Sequence, residues 1–135
     1  MLEKSFMSIN ILEKSMNASW MRNEAIVNNI ANVDTPNYKR DIVKFENILD
    51  ERMSSTSIEV KMTHKKHLAI QSRNIENINP VIEKDLKSKY RKDGNNINID
   101  AEMARLAKNT LQYNMLAQRV SGKIRKLKMI VKDGR

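Results

Sequence analysis

The sequence contains no cysteine, only three glycines and two prolines, and aromatic residues make up 4% of it. The absence of cysteine excludes structural disulfides and thiolate metal sites. The scarcity of aromatic side chains in a chain of 135 residues makes a compact core with a catalytic cleft hard to build. No apolar run approaches the roughly 20 residues of a membrane-spanning helix. Residues 1–17 mix charged with apolar residues, unlike a cleavable secretory signal.

The chain is strongly basic, with a formal net charge of +9 at neutral pH. Such a surface suits nucleic acid, an anionic membrane or the acidic face of a protein partner. The charge alone does not choose among these three partners. The length predicts a single domain.

The C-terminal third of the sequence carries a regular apolar stripe. Its residues recur at alternating spacings of four and three, which is typical of a coiled-coil seam. The stripe predicts a helix from about Asp100 to Val131, with Asn98 or Asp100 as its N-cap. Its members are Ile99, Met103, Leu106, Thr110, Tyr113, Ala117, Val120, Ile124, Leu127 and Val131.

The N-terminal part has a weaker stripe of the same period and predicts a helix from about Leu2 or Ser5 to Ala31 or Asn32. Two polar residues, Ser19 and Asn23, interrupt the stripe, and Trp20 lies beside it. The predicted assembly seam combines apolar members of both stripes, and these residues are expected to be buried within the helix pair or against copies of the chain. The seam residues are Ile9, Leu12, Met16, Ile26, Ile30, Ile99, Met103, Leu106, Tyr113, Val120, Ile124 and Leu127.

The predicted fold is therefore mainly α, with long N- and C-terminal helices that pair as a coiled-coil-like bundle around a small irregular or β middle region. The expected divisions are an N-terminal helix and turn in residues 1–35, a middle region in 36–97 and a C-terminal helix in 98–135. In the middle region, residues 45–52 favour a short helix and the alternation in 58–62 favours a strand. The turn signal in 93–96 suggests a hairpin that joins 86–92 to residues 97–99.

We find no catalytic, cofactor-binding or metal site in the sequence. His64 and His67 are spaced so that they could share a metal, but Lys65 and Lys66 between them would repel a cation. Gly94, Gly122 and Gly134 are isolated, so a glycine-rich phosphate loop is absent. These observations predict neither an enzyme nor a small-molecule binding protein.

Nucleic acid or an anionic membrane remains an alternative partner for a basic helical module. The aromatic residues that could stack on bases are scattered, and no recognised nucleic-acid motif is present. The basic C-terminal helix could instead touch phosphates or a bilayer. The two apolar stripes favour assembly of the N- and C-terminal helices with each other or with helices of other copies.

Two segments carry a resemblance to a known family. Residues 28–39, the first signature segment, read NNIANVDTPNYK, and the tail from Asp93 to Tyr113, the second signature segment, begins DGNNINIDAEM. The first resembles the helix exit of bacterial flagellar rod and hook proteins, and the second resembles the proximal-rod family FlgB. Residues 63–68, THKKHL, also resemble a family segment. Asn37 stands where the family commonly has glycine, and asparagine tolerates the same left-handed turn.

The resemblance implies a structural subunit without enzymatic activity or cofactor. It implies export from the cytoplasm by the flagellar type III apparatus and assembly into the hollow periplasmic rod, which motility requires. Its implied partners are copies of itself, other rod subunits, and the base of the rod near the membrane ring and export gate, with no nucleic acid. The residues that the resemblance assigns to the signature turn are Asn28, Asn29, Ile30, Ala31, Asn32, Asp34, Thr35, Pro36, Asn37 and Tyr38.

Overall fold

The computed structural model of the chain describes residues 2–54 and 78–133. Two long helices dominate these residues, and a short helix and two short strands lie between them in the sequence. This confirms the predicted fold class. The elements are α1 (Leu2–Ala31), β1 (Asp41–Lys44), α2 (Glu46–Ser54), β2 (Val81–Lys84) and α3 (Ile99–Asp133).

The helices α1 and α3 run antiparallel along each other. Asn29, near the end of α1, contacts Glu102 at the start of α3, whereas Ser8 accepts a hydrogen bond from Lys123 at 2.9 Å. The predicted bounds of α1 and α3 lie within about two residues of the observed ones, apart from the alternative start at Ser5. Among the described helices, none combines the length and the apolar character needed to cross a membrane.

Local chemistry explains where each helix begins and ends. At α3, the side-chain oxygen of Asn98 accepts a hydrogen bond from the amide of Ala101 at 3.2 Å, so Asn98 rather than Asp100 is the N-cap. Beyond α1, Pro36 cannot continue a helix, and Asn37 adopts a left-handed conformation with φ of 60°. Asparagine thus takes the conformation that the family's glycine would adopt.

The two strands form an antiparallel sheet in which Asp41 pairs with Lys84 and Lys44 with Val81. The predicted hairpin between 86–92 and 97–99 is wrong, because residues 97 and 98 form no strand and α3 begins at Ile99. The apolar side chain of Ile97 is instead buried where the chain enters α3. All four residues of β2 are exposed, so this strand has no alternation of buried and exposed side chains. The partner strand of β1 therefore could not be predicted from an alternating sequence pattern.

The described core is small. Ala18 of α1, Phe45 and Ile78 form a buried cluster, against which Ile48 and Leu49 of α2 pack. The short helix predicted at residues 45–52 is confirmed as α2. The predicted strand at 58–62 lies outside the described residues, and the division of the chain at residues 35 and 97 stays a prediction.

Candidate assembly site: the helix pair and the junction at its end

The exit of α1 is held by a residue far along the chain. Asn95 is completely buried, and its side-chain amide nitrogen lies within hydrogen-bond distance of three backbone carbonyl oxygens. These belong to Asn32 at 3.0 Å, Val33 at 3.0 Å and Thr35 at 2.9 Å. These three carbonyls lie in the turn that follows α1, so Asn95 fixes the path by which the chain leaves the helix. We call this arrangement the junction, formed by residues 32–41, 85 and 91–96.

The turn before Asn95 fits closely against the turn after α1. Gly94 has a φ of 81°, and an added Cβ would meet the side-chain oxygen of Asn37. The backbone amide of Asn37 donates to the carbonyl oxygen of Asp93 at 3.0 Å, and the Lys39 ammonium donates to that of Gly94 at 2.6 Å. Glycine is therefore favoured at position 94 chiefly by its backbone conformation, and an added Cβ would also require the exposed Asn37 side chain to move.

The neighbouring asparagine, Asn96, bridges the two strands at one end of the small sheet. Its side-chain oxygen accepts from the amide of Arg40 at 2.9 Å, and its side-chain nitrogen donates to the carbonyl oxygen of Asp85 at 2.7 Å. Arg40 and Asp85 also form an ion pair at 3.0 Å. The two signature segments thus form a single hydrogen-bonded unit at the end of the helix pair.

A buried carboxylate marks the beginning of α3. Glu102 is 2% exposed and forms ion pairs with Arg40 at 3.4 Å and with Arg105 one turn later. Asn29 donates to Glu102 at 3.3 Å, while its own side-chain oxygen accepts from the amide of Asp41 at 2.8 Å. Because its partners come from α1, the residues before β1, and α3, this carboxylate joins three parts of the fold.

Further along the helix pair, two polar side chains face each other in the contact between α1 and α3. Ser19 and Asn109 are both 2% exposed. The Ser19 hydroxyl donates to the side-chain oxygen of Asn109 at 2.9 Å, and the Asn109 amide nitrogen donates to the Ser19 carbonyl at 2.8 Å. A satisfied polar pair at one position of a helix contact sets its register, since any slip leaves buried groups unpaired.

The predicted assembly seam falls into two groups. On α1, Ile26 is buried and the other four members are half-buried, and on α3 Leu106, Tyr113, Val120 and Leu127 are half-buried. Ile99, Met103 and Ile124 are exposed by 46%, 53% and 42%. The intramolecular contact of α3 instead includes Glu102 and Asn109, which lie one residue from the predicted stripe. The role of the seam in assembly stays a prediction.

The exposed seam residues belong to a wider apolar surface. At about 100° per residue, Trp20 and Val27 project from α1 on the side roughly opposite Ala18 and Ala25, which are buried. Ile99 and Met103 likewise project away from the side of α3 that carries Arg105 beside β1. We call this surface the open face, and its exposed members are Trp20, Val27, Ile99, Met103 and Ile124.

The members of the signature turn are placed unequally. Asn29 is buried, whereas Ile30, Asn32 and Tyr38 are half-buried. Asn32 donates to the carbonyl oxygen of Asn28 at 2.8 Å, and Thr35 donates to Asn32 at 3.2 Å, so the turn is closed by its own polar side chains. The remaining members are exposed, namely Asn28, Ala31, Asp34, Thr35, Pro36 and Asn37.

Electrostatics support the junction at two places. Burial raises the pKa of Tyr38, and the neighbouring Asp41 carboxylate adds to this effect. The hydrogen bond that Lys84 donates to Asp41 raises the pKa of Lys84. Hydrogen bonds chiefly from the Ser88 hydroxyl, and also from the amides of Ser88 and Lys87 and from Arg40, lower the pKa of Asp85 to about 2. Asp85 is thus held ionised beside Arg40.

The described residues offer no candidate metal site. Within 2–54 and 78–133, no cluster of three metal-ligating side chains is present. A groove of about 430 Å³ between α1, β1 and α3 is lined by charged residues such as Arg22 and Glu102 that already pair within the chain. His64 and His67 lie outside the described residues.

Comparisons with known proteins identify relatives of the chain by sequence. No protein-family model matches the chain. The flagellar basal body rod protein FlgB of Bacillus subtilis (strain 168) is 35% identical over 128 residues, which cover 95% of each chain.

The chain belongs to the FlgB family of flagellar basal body rod proteins.

Two further FlgB proteins extend the similarity. That of Aquifex aeolicus (strain VF5) is 31% identical over 128 residues, covering 94% of each chain. That of Escherichia coli (strain K12) is 26% identical over 139 residues, covering 99% of each chain. The predicted membership of the FlgB family is therefore confirmed, and the similarity extends beyond the two signature segments to nearly the whole chain.

Four residues that organise the site were not predicted as site residues from the sequence. They are Asn95, Asn96, Glu102 and Asn109. All lie within the second signature segment, which resembles the FlgB pattern, but their spacing belongs to neither stripe. Their roles depend on partners in or near the first signature segment, or in α1, which local periodicity does not reveal.

Proposed function

We propose that this chain is a structural subunit of the flagellar basal-body rod and that it has no catalytic activity. In this role the subunit assembles with its own copies and with other rod subunits, near the membrane ring and export gate at the base of the rod. It reaches the periplasm by flagellar type III export and contributes to the drive shaft that motility requires. Neither nucleic acid nor a small-molecule substrate has a part in this function.

The observation that carries the proposal is the open face of the helix pair. Trp20 is 64% exposed and Val27 49% exposed, although both are large apolar residues on a long helix. An extended apolar surface of this kind marks a protein contact. The names and the near-complete coverage of the FlgB relatives support the rod as the assembly in which that contact is made.

The experiment is incorporation of a variant into basal bodies in a motile bacterium whose own copy of the gene has been removed. Met103→Asp places a charge on the open face, and we expect a folded protein that is missing from purified basal bodies and cells that do not swim. Met103 is 53% exposed, so circular dichroism should match that of the unaltered chain.

Leu86→Asp is the matched control, because Leu86 is 73% exposed but lies in the loop after β2. We expect this variant to enter basal bodies and to support swimming. Normal swimming by cells that carry Met103→Asp would overturn the assignment of the open face. Absence of even the unaltered chain from basal bodies would overturn the proposed function itself.

A further inference from the structure

The last turns of α3 differ in character from the rest of the helix pair. Residues 123–132 contain five cations and no carboxylate. Lys123 is held by Ser8, whereas the other four are exposed. The cations are Lys123, Arg125, Lys126, Lys128 and Lys132.

Large apolar side chains are exposed in the same turns. Met129 is 57% exposed, Ile130 60% and Val131 74%. At about 100° per residue, Ile124, Leu127, Ile130 and Val131 fall within an arc of roughly 120°, and the four exposed cations lie outside that arc. This end of the helix is therefore amphipathic, with an apolar strip bordered by positive charge.

A second copy of the same surface is a poor occupant. Residues 123–132 carry five cations and no carboxylate, so two copies that met through these residues would place like charges against each other. Nucleic acid would satisfy the cations but would leave Ile130 and Val131 in water. An anionic lipid surface satisfies both groups, because lysine and arginine contact the headgroups while the apolar strip enters the boundary with the acyl chains.

We propose that the end of α3, residues 125–132, binds an anionic membrane surface. The binding is peripheral, since the helix lies in the interface and does not cross the bilayer. It is additional to the rod function. The apolar strip shares Ile124 with the open face, so the test below uses Ile130 and Val131, which are not members of the open face.

The test is co-sedimentation of the full chain with vesicles at a salt concentration of about 0.1 M. One set of vesicles is phosphatidylcholine alone, and the other is an equal mixture of phosphatidylcholine and phosphatidylglycerol. We expect binding to the anionic vesicles only. The variant Lys126→Glu with Lys128→Glu should weaken it by at least about tenfold. Ile130→Ser with Val131→Ser should also weaken it at unchanged charge.

The matched control is Lys89→Glu with Lys92→Glu, which makes the same change of net charge at two exposed lysines outside α3. We expect a smaller loss of binding in this control, with circular dichroism confirming that every variant is folded. Equal losses in the two charge-reversed variants, or no effect of the serine substitutions, would overturn the proposal. Binding of the chain to duplex DNA but not to anionic vesicles would also overturn the proposal, and it would identify nucleic acid as the partner. Recovery of these variants in basal bodies reports on the rod function separately.

Discussion

The side-chain amide of Asn95 donates a hydrogen bond to the carbonyl oxygen of Asn32 at 3.0 Å, although 63 residues separate them in the sequence. The same nitrogen also lies within hydrogen-bond distance of the carbonyls of Val33 and Thr35. One buried side chain thus holds the turn that follows a 30-residue helix. The geometry of the rod-family signature turn consequently depends on a residue in the other signature segment.

Replacement of Asn95 by alanine should destabilise the chain strongly. The substitution leaves the buried amide of Ile97 without the side-chain oxygen to which it donates at 2.7 Å. It also removes the contacts of the Asn95 amide nitrogen with the turn after α1, and together these losses cost about 2 to 4 kcal/mol of the free energy of unfolding. Urea denaturation measures the loss. Asn114→Ala is the control, because Asn114 is an exposed asparagine on α3 and its replacement should change stability by less than about 0.5 kcal/mol. Equal effects of the two substitutions would contradict the role of Asn95.

The two described glycines should respond in opposite directions to alanine. Gly94→Ala introduces a Cβ beside the Asn37 side chain at positive φ and should lower stability by about 1 to 3 kcal/mol. Gly122 lies within α3 with no neighbouring atom within 4 Å of an added Cβ. Gly122→Ala should therefore raise stability by up to about 1 kcal/mol. Thermal unfolding followed by circular dichroism compares them.

Addition of Asn37→Gly to Gly94→Ala separates the two causes. The second substitution removes the side chain that the new Cβ would meet, so we expect part of the lost stability to return. The remainder reports the cost of alanine at positive φ. No recovery at all would mean that crowding against Asn37 is not a cause.

The pair formed by Ser19 and Asn109 should show energetic coupling. Asn109→Ala leaves the buried Ser19 hydroxyl without its acceptor and should cost about 1 to 3 kcal/mol. The double variant Ser19→Ala with Asn109→Leu should lose far less free energy of unfolding than the sum of these two single substitutions, because no buried polar side chain is left without a partner. A double-mutant cycle should give a coupling of roughly 1 kcal/mol, and an additive result would show that the pair does not act as a unit.

Stability should fall in acid through Asp85. Its pKa is lowered from 3.8 in the unfolded chain to about 2 in the fold, so its contribution is complete above about pH 4 and is lost as the pH falls through about 2. After allowance for solvent screening the contribution is on the order of 1 kcal/mol. Asp85→Asn should flatten this part of the pH profile of the unfolding temperature, and an unchanged slope would contradict the assignment.

Two seam residues should separate folding from assembly. Leu106 is half-buried in the helix pair, and Leu106→Asp should destabilise the isolated chain by about 2 kcal/mol or more. Ile124 is 42% exposed, so Ile124→Asp should leave a folded chain that fails to enter basal bodies. Urea denaturation and basal-body purification measure the two effects. Normal swimming with Ile124→Asp would remove this residue from the seam.

The long helices could be predicted from the sequence because their periodicity is local. The spacing of Ile9, Leu12 and Met16, for example, is enough to recognise one face of α1. The same reasoning misplaced part of the α3 contact. Glu102 and Asn109 are polar, and their burial is possible only because Arg40, Asn29 and Ser19 satisfy them across the fold.

The junction could not be derived from local pattern at all. The run from Asp93 to Asn96 reads as a solvent-exposed turn, yet Asn95 and Asn96 are buried because their amides replace backbone partners elsewhere. Only the resemblance to the family singled out this segment. The turn after α1 was more accessible to prediction, since Pro36 and Asn37 have strong intrinsic backbone preferences.

The ion pair between Arg40 and Asp85, reinforced by Asn96, joins the residue before β1 to the residue after β2. The described residues between them also rest on α1, because Phe45 and Ile78 pack against Ala18. We expect that an epitope inserted at an exposed position of this stretch leaves the pairing of the two long helices unchanged. New surface can then be added to the chain without redesign of the contact between α1 and α3.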